Sequence, residues 1–190
     1  MGAKRRIKLK RATPNVMPTS LLALDVSSVC VGWSLFHGVK PVAHGKYLHK
    51  GKAHGQKLAE FEDWLVALLE RDDPEVLVVE APYAGRRRFA FGVLMMYYGV
   101  VQMAHIRWRG KELPSEHRMA ANQVKRLLHL PKGATHTARK IIAIERINQL
   151  YGMSFVFSEN KKHSDDDTAD SMAVARAYYI QQGHISQEDG

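Results

Sequence analysis

The apolar positions of this 190-residue chain change their spacing several times, and each change marks an element. Ser20–Val26 is a short apolar run, a small-residue turn follows, and Val31–Phe36 is a second run. Val42–Leu48 supplies a third, so the three together predict a strand meander. From His54 to Arg71, Leu58, Phe61, Leu65, Leu68 and Leu69 recur at helical spacing. Asp72, Asp73 and Pro74 end that helix. Val76–Val79 is a continuous apolar run of strand length, the mark of a strand buried on both faces. Phe89–Trp108 predicts a long, mostly buried helix, and residues 117–121 a short strand. Asn122–Leu128, Thr137–Leu150 and Asp167–Gln181 predict three further helices. Strands first, then strand and helix in alternation, predict an α/β fold. Its mixed five-stranded sheet holds a three-strand antiparallel meander plus parallel strands and is flanked by helices.

Thr13–Ser20 carries Pro14 and Pro18 and reads as a linker. The chain therefore divides into an arm (1–19), one domain (20–183) and a short tail (184–190), with no internal repeat. No uninterrupted apolar run approaches the roughly 18 residues of a membrane span, so no membrane partner is expected. Cys30 is the only cysteine. That excludes an internal disulfide and a multi-cysteine zinc site, and suits a reducing compartment such as the cytoplasm.

Charge sharpens this division. The formal net charge is +9, from 28 Lys and Arg against 19 Asp and Glu. Six of those bases (Lys4, Arg5, Arg6, Lys8, Lys10 and Arg11) lie in the first eleven residues, which hold no acid. The arm lacks the apolar stretch of a secretory signal, and Arg6 stands where a myristoylation signal needs Ser or Thr. The rest of the chain is polarised: residues 52–80 hold three bases and eight acids, residues 85–126 nine bases and two acids. A basic arm and a basic segment point to a polyanionic partner, nucleic acid first.

Acids in unusual places suggest the chemistry. Asp25 interrupts the apolar strand Leu21-Leu22-Ala23-Leu24-Asp25-Val26, and Glu80 ends Val76–Val79 in the same way. Charged residues in such strands are paired or metal-bound, and α/β active sites gather at strand carboxyl ends. The stretch Asp165-Asp166-Asp167-Thr168-Ala169-Asp170 opens a helix. First-turn acids serve the helix dipole, which accounts for Asp165 and Asp166. Asp170 lies further in and shares a face with Asp167 at i, i+3, with Asp166 at i, i+4 as the alternative. Asp25, Glu80, Asp167 and Asp170 together would repel strongly unless divalent cations joined them. All-oxygen sites of this kind suit Mg²⁺ or Mn²⁺.

At these residues the sequence resembles the RuvC-type Holliday-junction resolvases, which have the RNase H-like fold. Leu22-Ala23-Leu24-Asp25-Val26-Ser27-Ser28-Val29-Cys30-Val31-Gly32-Trp33 is similar to that family's opening strand and turn, an Asp with Gly seven positions on. Val76–Val79 leading into Glu80 is similar to its second acid, and Asp167-Thr168-Ala169-Asp170 to its closing Asp-x-x-Asp. Ala121-Asn122-Gln123-Val124-Lys125 resembles its Gln-Val-Lys segment. The likeness runs in order over roughly residues 20–180. There are departures: Val26-Ser27 replaces the usual Pro-Gly or Val-Gly, and Ser171 stands where Ala is usual. Lys132, Arg139 and Lys140 compete for the family's second basic position.

The resemblance implies a metal-dependent, structure-selective endodeoxyribonuclease acting on four-way and other branched DNA as a two-fold homodimer. Two Mg²⁺ ions per site, about 4 Å apart, or Mn²⁺ in their place, would be held by Asp25, Glu80, Asp167 and Asp170. Lys125 would steady the scissile phosphate. Tyr83 matches a family aromatic that stacks on bases, and Arg86, Arg87 and Arg88 after it suit phosphate contacts, as do Lys132, Arg139 and Lys140. His136 and His163 read as surface histidines, with a place near DNA or metal as the alternative. The acids alone equally allow an RNase H-fold nuclease for flaps or RNA–DNA hybrids, and a non-catalytic junction-binding protein remains an alternative.

Overall fold

The computed structural model describes residues 16–82, 88–131 and 135–187. Strand β1 (Ser20–Val26) turns through Ser27–Val29 into β2 (Cys30–His37), which continues into β3 (Lys40–Leu48). Helix α1 (His54–Asp72) leads to β4 (Val76–Ala81), then α2 (Arg88–Arg109), β5 (Arg118–Ala120), α3 (Ala121–Leu127), α4 (His136–Tyr151) and α5 (Asp166–Gln181). The sheet order is β3-β2-β1-β4-β5. β1–β2 and β2–β3 are antiparallel, whereas β1–β4 and β4–β5 are parallel. This is the mixed sheet that the apolar spacing predicts.

Period-two alternation sorts each central strand between two cores. Leu22, Leu24, Leu77 and Val79 face one side, where Phe61, Leu65, Leu68 and Leu69 of α1 meet Val93, Tyr97, Val101 and Ala104 of α2. Leu21, Ala23, Phe36 and Val78 face the other, against Val124 of α3, Ile144 and Ile147 of α4, and α5. Helix α5 is buried on nearly every side, because α3 and α4 cover it as it crosses the sheet. Its small residues Ala169, Ser171, Ala173, Ala175 and Ala177 allow that close approach.

Helix ends follow local chemistry. Thr135 caps α4 by accepting the Ala138 N–H at 3.2 Å, which starts that helix one residue before the predicted Thr137. Gly152 closes it in the left-handed region at φ 65°. Helix α2 departs from expectation. It is not mostly buried: Phe89 is 83% exposed, and Met95, Met96, Met103 and Ile106 are each more than 40% exposed. Among the described residues it is the one helix long and apolar enough to cross a membrane. Gln102 and His105 interrupt it, and its Val93–Tyr97–Val101–Ala104 stripe packs into the fold.

Candidate active site

The alternation that builds the cores also aims the acids. Leu21 and Ala23 face α5, so Asp25, two residues on, faces it too. Val78 faces α5, and so does Glu80. The parallel register pairs Ala23 with Val78 and Leu24 with Val79. Carried one residue further, it sets Asp25 beside Glu80 at the carboxyl ends of adjacent strands. Helix α5 lies across this corner with Asp167 and Asp170 in its first turns.

Gly32 makes that placement possible. It pairs with Asp25 across the β1–β2 ladder. A Cβ built on it would stand 1.8 Å from the Asp167 carbonyl oxygen and 2.9 Å from the Thr168 nitrogen. The backbone of the α5 N-terminus therefore rests directly on β2. Ser171 Oγ donates to the Thr168 carbonyl at 2.7 Å and meets Ser34 Oγ on β2 at 3.1 Å, which gives the buried serine a partner that alanine would lack. Thr168 Oγ1 donates to the Gly45 carbonyl at 3.2 Å. In the β1–β2 turn, Ser27 Oγ accepts the Cys30 N–H at 3.1 Å and donates to the Cys30 carbonyl at 2.7 Å.

A cleft of about 390 Å³ opens at this corner. Asp25, Glu80, Asp167 and Asp170 line it together with Lys125, Arg139, Lys140, Lys161 and His136. It adjoins a larger hollow of about 710 Å³ lined by Asn122, Lys125, Arg126, His129 and Arg139. One wall of the combined depression is thus acidic and the next basic.

Crowding the carboxylates alters their protonation. Burial pushes the Asp25 carboxyl well above the usual range, and Asp170, Glu80 and Asp167 push it further against the pull of Lys140. Glu80 is pushed up to about 7, by burial and then by Asp170, with Lys125 opposing. Asp170 is raised to about 6 by burial, with Lys140 opposing and Asp166 and Asp167 adding. Asp166 behaves oppositely: burial would raise it, but hydrogen bonds from Lys140 and Lys161 hold it well below the carboxylate range. Cys30, behind Asp167, is pushed up to about 12 by burial and by that carboxylate, which keeps it a thiol.

The donor set fits divalent cations. It is all carboxylate oxygen, and its raised proton affinity comes partly from mutual repulsion that a cation would relieve. Among the described residues no group of three acids, histidines or cysteines is gathered as ion ligands. Lysines lie against the acids on the α5 side instead.

No family model and no curated protein matches the sequence. Solved structures do match it in three dimensions. A Thermus thermophilus RuvC in complex with a Holliday junction substrate aligns at TM-score 0.64 and 15% identity, covering 87% of this chain and 96% of that one. A second T. thermophilus RuvC structure aligns at 0.61 and 16% identity, over 86% and 96%. The chain has the RuvC-like fold.

Within the RuvC-like fold the predicted quartet, Lys125, Arg139 and Lys140 converge on one cleft. Asp166, the alternative ligand, is buried beneath Lys140 and Lys161. Tyr83, Arg86, Arg87 and Lys132 lie outside the described residues, and Arg88 opens α2. His136, read from sequence as a surface histidine, is exposed yet lines the cleft. Lys161 was not foreseen. It sits in Glu159-Asn160-Lys161-Lys162-His163, which reads as an ordinary solvated loop. Lys46 on β3 was equally silent, and it fixes that loop by donating to the Lys161, Lys162 and Ser164 carbonyls at 3.2, 2.9 and 2.7 Å.

Proposed function

We propose that this chain is a metal-dependent endonuclease that hydrolyses phosphodiesters in four-way and other branched DNA. The observation that carries the reading is the convergence of Asp25, Glu80, Asp167 and Asp170, from two strands and a helix, beside a basic wall in a RuvC-like fold. The four carboxylates would hold two Mg²⁺ ions, with Mn²⁺ as a substitute. Such ions supply Lewis acidity and an activated water for in-line displacement. Asp25 and Glu80 are rigidly placed ligands, since the strand that carries each is paired on both sides. Lys125, near enough to Glu80 to lower its proton affinity, sets a positive charge at the cleft rim for the scissile phosphate. Arg126 and Arg139 extend that charge along the adjoining hollow, where a phosphate backbone can run.

A homodimer belongs to the same reading, because paired symmetric cuts need two sites. The exposed stripe of α2 supports it. Phe89, Gly92, Met96, Gly99, Met103 and Ile106 follow the alternating three- and four-residue steps of a helix–helix seam. Among the described residues, a Cβ on Gly92 or Gly99 would meet nothing within 4 Å. Helix-interior glycines cost about 1 kcal/mol each relative to alanine, and a closely approaching partner helix gives them a use.

The test is a substrate panel of four-way junction, flap, RNA–DNA hybrid and plain duplex, at one salt concentration with Mg²⁺ or Mn²⁺. Wild type should cut the junction best, while Asp25→Asn should bind it with unchanged affinity and leave it uncut. Wild-type cleavage by that variant overturns the assignment. Preferential cutting of hybrid or flap moves the substrate to the other branch of the fold.

A further inference from the structure

The positive charge at the acidic corner comes from a residue outside the quartet. Lys161 Nζ lies 2.7 Å from Asp166 Oδ2 and 2.8 and 2.9 Å from the two oxygens of Asp167. Lys140 joins it on Asp166 Oδ2. A single ammonium thus grips both oxygens of Asp167, a carboxylate only 5% exposed at its side chain. Both oxygens that Asp167 would offer another cation are thus engaged by this one ammonium.

The grip has a built support. Lys46 anchors three carbonyls of the 161–164 segment from the edge strand β3. Ser164 Oγ accepts the Ser158 N–H at 3.1 Å, and Asn160 Oδ1 accepts the Lys162 N–H at 3.0 Å. The loop backbone is held while the Lys161 side chain, 36% exposed, has solvent to swing into.

We propose that Lys161 is a latch on the acidic site, its ammonium competing with a divalent cation for Asp167 so that cation loading requires the side chain to swing out. This rests on the reading of the quartet as a metal site and adds what controls its loading. Lys140 keeps Asp166 paired when Lys161 leaves, so Asp167 is the one carboxylate of this pair whose charge the incoming cation must take over.

Competition predicts the sign of a measurement that needs no catalysis. Free Mn²⁺ is followed by electron paramagnetic resonance as the full chain is titrated in the absence of DNA. Lys161→Gln should bind Mn²⁺ at least about tenfold more tightly than wild type, a difference of about 1.4 kcal/mol. Lys161→Arg, which keeps the charge, should stay close to wild type. Asp25→Asn, alone or combined with Lys161→Gln, should abolish the tight binding. Melting in EDTA should show Lys161→Gln folded, and Mn²⁺ should raise its melting temperature more than that of wild type. If Lys161→Gln binds Mn²⁺ equally or more weakly while the Asp25 dependence persists, the latch is wrong and the metal site stands. If no variant shows Asp25-dependent Mn²⁺ binding, the metal-site reading falls and takes the latch with it.

Discussion

At the scale of the residue, Gly32 and Asp167 are one device. A methyl group at residue 32 would occupy the position of the Asp167 carbonyl. Backbone cannot yield as a side-chain tip can, so Gly32→Ala must lift the start of α5 off β2. Overpacking of this kind costs about 1–3 kcal/mol, occasionally more. The variant should lose that stability in urea unfolding and lose junction cleavage with it; wild-type values for both would show that α5 does not rest on β2. Glu80 makes a second residue-scale prediction. Its folded-state value near 7 stands above the ordinary 4.5. The folded chain therefore holds more protons than the unfolded chain between those values, and stability falls as pH rises through them. Glu80→Gln removes that loss. In EDTA, its urea midpoint should gain on wild type from about pH 5 to about pH 8, and a pH-independent gap would show that Glu80 is ionised throughout. Asp25 and Glu80 are legible in the sequence because each interrupts an apolar strand, which is rare without a reason. Lys161 is not legible. Its neighbours are polar and exposed, and only the anchoring by Lys46, 115 positions earlier, brings it over Asp167.

At the scale of the element, the strands and helices follow from the spacing of apolar positions, and helix α2 shows where that reasoning stops. Total hydrophobicity reports that a helix is covered, not by what. Val93, Tyr97, Val101 and Ala104 satisfy the chain's own core, and a second apolar stripe is left over. The two stripes overlap in sequence, so they blur into one long apolar run. Gly99→Leu separates their roles. Among the described residues nothing lies within 4 Å of a Cβ at residue 99, so the melting temperature of the monomer should hold. Sedimentation velocity should show a wild-type dimer and a G99L monomer. A G99L dimer of wild-type affinity would place the interface elsewhere.

At the scale of the whole molecule, the distribution of charge divides binding from chemistry. Six of the nine excess charges lie in the first eleven residues, whereas the acids that line the cleft lie between residues 25 and 170. Each phosphate neutralised adds about 0.9 to the salt slope of DNA binding. Deleting residues 1–11 should therefore weaken junction binding and flatten its dependence on salt by up to about five in log–log slope. Cleavage at saturating enzyme should change little, and its loss would mean that the arm takes part in the reaction.

The cleft is also spread widely along the chain. Asp25 and Glu80 emerge early in synthesis, but Asp167, Asp170 and the helix that carries them are separated from Glu80 by more than eighty residues. Domains fold as units while the ribosome delivers them from the N-terminus, and β1 and β4 can pair long before α5 exists. Through that interval two neighbouring carboxylates stand at an unfinished edge with no partner helix. A nascent chain arrested before residue 166 should therefore hold only two of the four carboxylates that line the finished cleft.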